Sequence, residues 1–211
     1  SAIVIILGLV LAYVGGATTG GSKGLSDVTL FSGLGLMGGG MLRDLAIIAT
    51  AYGVNLKEIR QTGFRGVVAL FVGVLISFIA GGGVAIAFGY TDPVDITTIG
   101  AGAVTYIVGP VTGATLGASS EVVALSIAAG LVKSILTMVA TPMTARLIGL
   151  DNPRSAMIFG GLIGTTSGVA AGLAATDARL VPYGAMTATF YTGLGILLAP
   201  TVLFLAVRAV M

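Results

Sequence analysis

The stretch T105-Y-I-V-G-P-V-T-G-A-T-L-G-A-S-S-E121 is apolar enough for hydrocarbon, yet it carries Gly109, Pro110, Gly113 and Gly117 among Thr105, Thr112, Thr115, Ser119 and Ser120. A helix crossing a bilayer must pair its backbone N–H and C=O groups within itself. Pro110 withholds one donor and clashes with the turn before it. Breakers and hydroxyls at such a depth therefore point to an interrupted helix with polar ends.

The composition fits that solvent. Of 211 residues, 56% are hydrophobic and 9% charged, against about 25% charged in a soluble domain. Seven apolar segments follow one another, at 2–15, 29–53, 64–89, 96–118, 121–149, 155–176 and 183–210. This spacing predicts an all-α polytopic membrane protein with about seven hydrophobic segments, some interrupted or re-entrant. A single transmembrane domain over 1–211 is expected, with repeat halves at 1–90 and 91–211. Asp92-Pro93 and Asn152-Pro153 keep the intervening breaks non-helical. Ser1–Gly16 lacks a basic leader and reads as a membrane segment entered partway rather than a signal peptide.

Ten Lys and Arg residues give a net charge of +2. They are spread along the chain, which excludes a nucleic-acid patch and suits the flanks of membrane segments. Lys57, Arg60 and Arg65 are the densest basic cluster, so their loop is expected on the cytoplasmic side; the other basic residues divide almost evenly. Cysteine and histidine are both absent. That removes disulfides, thiolate chemistry and the commonest base and metal ligand. With no P-loop, G-x-S-x-G elbow or complete dinucleotide fingerprint either, the chain is not read as an enzyme.

An offset of 128 residues aligns Phe31, Gly33 and Leu34 with Phe159, Gly161 and Leu162, and Gly40 with Gly168. A duplication of this kind would follow the inverted-repeat plan of transporters. Gly109, Gly113 and Gly117, and again Gly160, Gly164, Gly168 and Gly172, recur every four residues. Such ridges let helix backbones approach closely. They leave Pro110 and the cluster T165-T-S-G168 unexplained. A broken helix accounts for both: one half presents N–H donors and about +0.5 charge, the other presents carbonyls. The breaks would cradle an anion and a hard cation together.

Charged residues within apolar segments are costly. Arg43 and Asp44 read as a local pair at a helix bend or as a substrate contact. Lys133 lies on a polar stripe with Ser126, Gly130, Thr137, Thr141 and Thr144, where a carboxylate partner elsewhere is expected. Ser119 to Glu121 read as a helix cap, and Asp177 with Arg179 as a solvated loop pair.

The motifs G33-L-G-L-M-G-G-G-M-L-R-D44, T97-T-I-G-A-G-A-V-T-Y-I-V-G-P-V-T-G113, G149-L-D-N-P-R-S-A-M157 and L173-A-A-T-D-A-R-L-V-P-Y-G-A-M186 closely resemble the MadM subunit of malonate transporters. More distantly the chain is similar to LrgB-type membrane proteins, which supports an inverted-repeat, elevator-like architecture. The resemblance implies a multi-pass protein of the bacterial inner membrane. It would import malonate with sodium in partnership with a small MadL subunit, and a higher oligomer is compatible. No other cofactor is expected. Proton coupling, or an LrgB- or holin-like channel or exporter for organic acids, are the rival readings. The break chemistry then places malonate between Thr112, Gly113, Thr115 and Ser119 on one side and Thr165, Thr166, Ser167 and Gly168 on the other, with Arg43 as a further contact. Sodium is expected near Gly109, Thr112, Thr165 and Ser167.

Overall fold

The computed structural model describes residues 56–211, with side chains from Gly63 onward, together with Leu7, Val10, Leu11, Tyr13, Val14, Gly15, Ala17 and Thr18 in helical turns. Segment 29–53, with Arg43 and Asp44 and the first partner of the 128-residue offset, lies outside the described residues. The chain divides into units of residues 1–52 and 53–211, and the second holds every helix from Leu56 onward.

Helix α1 spans Leu56–Ala87 with a bend at Gly63. It is followed by α2 (Pro93–Val104), α3 (Val108–Leu116), α4 (Ser120–Thr144), α5 (Pro153–Ile163) and α6 (Thr166–Ala174). A 3-10 turn at Ala178–Leu180 leads into α7 (Val181–Leu198), and a wide π turn at Ala199–Leu203 joins α7 to α8 (Phe204–Val210). No strand occurs among the described residues. Three stretches are long and apolar enough to cross a membrane: Gly63–Ala87, Ser120–Thr144 and Ala178–Val210.

The helix starts follow from local chemistry. Asp92 accepts a 2.6 Å hydrogen bond from the Val94 N–H, and Pro93 opens α2 where its missing donor costs nothing. Asn152 caps α5 in the same manner, accepting from Arg154 and Ser155 N–H at 3.0 Å ahead of Pro153. Ser119 accepts from Val122 N–H at 3.3 Å to start α4, with Glu121 in its first turn, as the sequence predicts.

The two interrupted segments do not run straight through. Helices of 12 and 9 residues, the lengths of α2 and α3, measure about 18 and 14 Å, roughly half the hydrocarbon thickness. A Cβ on Gly109 would lie 2.8 Å from Gly102 Cα, and one on Gly113 would lie 2.9 Å from Thr98 Cγ2. Rising numbers on one arm meet falling numbers on the other, so α2 and α3 form an antiparallel hairpin. Helices α5 and α6 also reverse. Gly160 faces Gly184 and Gly164 faces Tyr191, so α5 runs along α7 in the same direction; Gly168 faces Ser134 and Gly172 faces Thr141, so α6 runs along α4. Since α4 and α7 are antiparallel, α5 and α6 point opposite ways.

Packing shows which end each hairpin enters from. Ile96 and Ile99 of α2 bury against Ala85 at the end of α1 and Val122 at the start of α4, with Val207 of α8 alongside. This is the Asp92 end of the bundle. Ala156 of α5 and Leu173 of α6 bury against Ala145 after α4 and against Leu180 and Ala188 at the start of α7. This is the Arg65 end. Hairpin α2–α3 thus rises from one end and hairpin α5–α6 descends from the other, and α1 carries an arm of each, with Phe78 against Gly100 and Gly73 against Leu162. An offset of 60 residues superposes their landmarks: Asp92 on Asn152, Pro93 on Pro153, Gly100 on Gly160 and Thr105 on Thr165.

Segments 96–118 and 155–176 fold back on themselves, in line with a re-entrant reading of the sequence, although hydropathy is blind to chain direction and does not say which segments reverse. The first interruption falls at Thr105–Ile107 rather than at Gly109–Pro110; Pro110 sits in the first turn of α3, where no helical carbonyl requires its N–H.

Gly164 ends α5 with φ 78°, and a Cβ there would overlap the Tyr191 ring. Gly89, at φ 90°, has open space around it. Gly89→Ala should cost about 1–2 kcal/mol from the left-handed backbone alone. Gly164→Ala adds a steric clash and should lower the thermal unfolding midpoint in detergent clearly further.

Candidate functional site

Halfway along α4 the two hairpin tips meet. The Tyr106 hydroxyl, on the first tip, lies 3.2 Å from Ser167 Oγ in the first turn of α6, and Ser134 Oγ of α4 lies 2.9 Å from the same Ser167 oxygen. The close approach depends on small residues: a Cβ on Gly102 or Gly109 would run into Ser126, and one on Gly130 into the Tyr106 backbone. Both half-helix N-termini, at Val108 and Thr166, and both C-termini, at Val104 and Ile163, are gathered here.

The two tips differ in what they leave open. At the first, Thr105 Oγ1 accepts from Ile107 and Val108 N–H at 3.2 and 3.1 Å, while its carbonyl accepts from Val108 and Gly109 at 3.0 and 3.3 Å. Pro110 has no N–H to offer. The α3 N-terminus is therefore satisfied by its own chain, which corrects the expectation of free donors there. At the second tip, Thr165 precedes α6 without capping it. The N–H groups of Thr166, Ser167 and Gly168 form the first turn of that half-helix, and the buried Thr165 hydroxyl has no hydrogen-bond partner among the described residues.

Such idle hydroxyls stand out against the rest of the fold. Thr98, Thr115, Thr137, Thr141 and Thr176 each donate to the carbonyl four residues earlier. Thr97, Thr112 and Thr165 do not, although their oxygens are buried. A buried polar atom left unpaired costs on the order of 1–3 kcal/mol; Thr97 and Thr112 lie within the arms of the first hairpin, and Thr165 alone sits at a tip, where its idle hydroxyl favours a polar ligand.

Lys133 precedes Ser134, and its sequence reading is a carboxylate partner elsewhere or on a partner chain; no described carboxylate bonds it. Its ammonium instead donates to Ser77 Oγ at 2.8 Å, to the Val104 carbonyl at 3.0 Å and to the Tyr191 hydroxyl at 3.1 Å. Val104 ends α2, so the lysine satisfies an otherwise open carbonyl at the end of that half-helix. Tyr191 also bonds Gly73 O at 3.1 Å and Ser77 Oγ at 2.8 Å. Sequence reasoning missed Ser77, Tyr106 and Tyr191, since nothing in the pattern distinguishes them from ordinary core and lipid-facing residues.

Of the sequence-predicted site residues, Thr165, Thr166, Ser167 and Gly168 form the second tip. Gly109 and Thr112 lie in the first two turns of α3, behind the first tip. Gly113 packs against Val123 and Thr98, and Thr115 bonds its own helix at Val111 O. Ser119 caps α4 at the Asp92 end, away from the tips. Asp177 and Arg179 form the expected loop pair, 2.7 Å apart, with Arg179 exposed.

Three apolar helices of crossing length, with two half-length hairpins that meet tip to tip at Tyr106, Ser134 and Ser167, mark a membrane protein. The chain belongs to the family of the malonate/sodium symporter MadM subunit, whose match covers residues 1–211. It is a transporter subunit and not an enzyme. No curated protein and no solved structure matches it.

The Ser134–Ser167 contact can be tested in this cysteine-free chain. Oxygens 2.9 Å apart place the two Cβ atoms near the roughly 3.5–4.5 Å that a disulfide spans. The double variant Ser134→Cys/Ser167→Cys should become resistant to maleimide on oxidation and regain labelling on reduction.

Proposed function

We propose that this chain forms the substrate-translocating part of a complex importing malonate together with sodium across the bacterial inner membrane, alongside a small MadL-like subunit. The observation that carries the reading is the meeting of two oppositely entering hairpins at Tyr106 and Ser167. One carboxylate of malonate rests on the N–H groups of Thr166, Ser167 and Gly168, with the Thr165 hydroxyl beside them. A helix N-terminus with open donors suits an anion. Sodium accompanies it, using Thr112 or Thr165 oxygen and tip carbonyls, and lowers the cost of desolvating the anion. The loaded core then moves against a scaffold in elevator fashion.

Uptake of labelled malonate into proteoliposomes holding both subunits tests the coupling. An inward sodium gradient should accelerate uptake many times over an equimolar potassium control. Equal rates in the two salts, with acceleration by a proton gradient, would favour a proton-coupled carrier; equal rates under every gradient would favour a channel.

The hairpin topology also supports an orientation for the chain. With segments folded back, Arg65, Arg146, Arg154 and Arg179 share one end, whereas Arg208 lies at the other with Asp92, Asp95 and Glu121. The basic residues no longer divide evenly, and the arginine-rich end faces the cytoplasm. Hairpin α5–α6 therefore enters from inside the cell. In right-side-out vesicles, Thr91→Cys should react with an impermeant maleimide at once, and Leu147→Cys only after permeabilisation.

A further inference from the structure

Lys133 is the only charged side chain, among the described residues, that sits away from the ends of the helices and hairpins. Its three ammonium protons are matched by three acceptors, and all three acceptors are neutral: a serine hydroxyl, a tyrosine hydroxyl and a peptide carbonyl. The Tyr191 ring adds a further neutral face 5.1 Å from the nitrogen. Hydrogen bonds of this kind hold the group in place and, among the described residues, leave its formal charge uncancelled. The ion pair Asp177–Arg179 lies in the loop at the Arg65 end, away from Lys133. A lone cation at half-membrane depth is costly unless something compensates it. The geometry places it one residue from Ser134, whose hydroxyl touches Ser167 in the second tip, and two residues from Tyr106 through Val104.

We infer that Lys133 is the fixed positive charge that makes the meeting point of the tips attract an anion, acting across space while its donors stay bound to Ser77, Val104 and Tyr191. It is a specificity-determining residue rather than a substrate contact. This rests on the reading that the tips bind a carboxylate. The substrate supplies the compensating charge, and the field of the ammonium acts on its affinity in a low-dielectric site.

The test is the KM and the maximal rate of malonate uptake in proteoliposomes of the two-subunit complex, normalised to inserted protein. Lys133→Gln should raise KM about tenfold or more, with a smaller change in maximal rate, and Lys133→Arg should restore most of the affinity. Ser77→Ala and Tyr191→Phe remove one hydrogen bond each and keep the charge. They should leave KM within about twofold, whatever they do to rate or thermal stability. An unchanged KM in Lys133→Gln overturns the inference, as does a KM raised equally by Ser77→Ala and Tyr191→Phe. If Lys133→Gln fails to insert, Lys133→Arg decides: a near-normal KM supports the charge, and a tenfold loss overturns it. Wild-type protein that takes up no malonate would instead remove the underlying functional reading.

Discussion

A peptide group left unpaired in hydrocarbon costs several kcal/mol, and among the described residues the helices are interrupted twice at depth, at Thr105–Ile107 and at Gly164–Thr165. Everything around the two tips answers to that cost. The first tip closes on itself: Thr105 takes the donors of α3 through its hydroxyl and carbonyl, and Pro110 contributes none. Lys133 attends to the carbonyl end of α2. The second tip is left more open, with the Thr165 hydroxyl neither capping its helix nor bonding a described neighbour. Two hairpins built on one plan have thus divided the work, one being a sealed wedge and the other a polar one.

Glycine makes the arrangement sterically feasible. The arms of the first hairpin touch through Gly102 and Gly109, and α4 admits the Tyr106 backbone only because residue 130 has no side chain. The four-residue glycine spacing in the sequence signalled close packing. In the folded chain the second ridge is shared between two arms, with Gly160 against α7 and Gly168 and Gly172 against α4. A single periodic pattern therefore serves two partners after the chain reverses.

Much of the local structure was legible in the residues. Asp92-Pro93 and Asn152-Pro153 cap their helices as such pairs do, and Ser119 starts α4. The presence of two interruptions could be read from Pro110 and from the hydroxyl cluster at 165–167. The re-entrant reading covered both, but which segments double back and from which end could not be read, because apolar content is the same whether a chain continues or reverses. That one ambiguity also hid the 60-residue correspondence and scattered the arginines between two sides of the bilayer. The partners of Lys133 were illegible for another reason. Ser77 and Tyr191 are 56 and 58 residues away in sequence, and an amine satisfied by hydroxyls leaves no complementary charge to search for.

Ser77, Val104, Lys133 and Tyr191 come from four different helices, α1, α2, α4 and α7, and converge on one nitrogen. A slip of a single residue along any of those axes moves an atom by about 1.5 Å, enough to carry a 3 Å hydrogen bond past its useful range. The ammonium therefore works as a rivet through four plates. A joint of this kind favours motions in which these four helices travel together as one body.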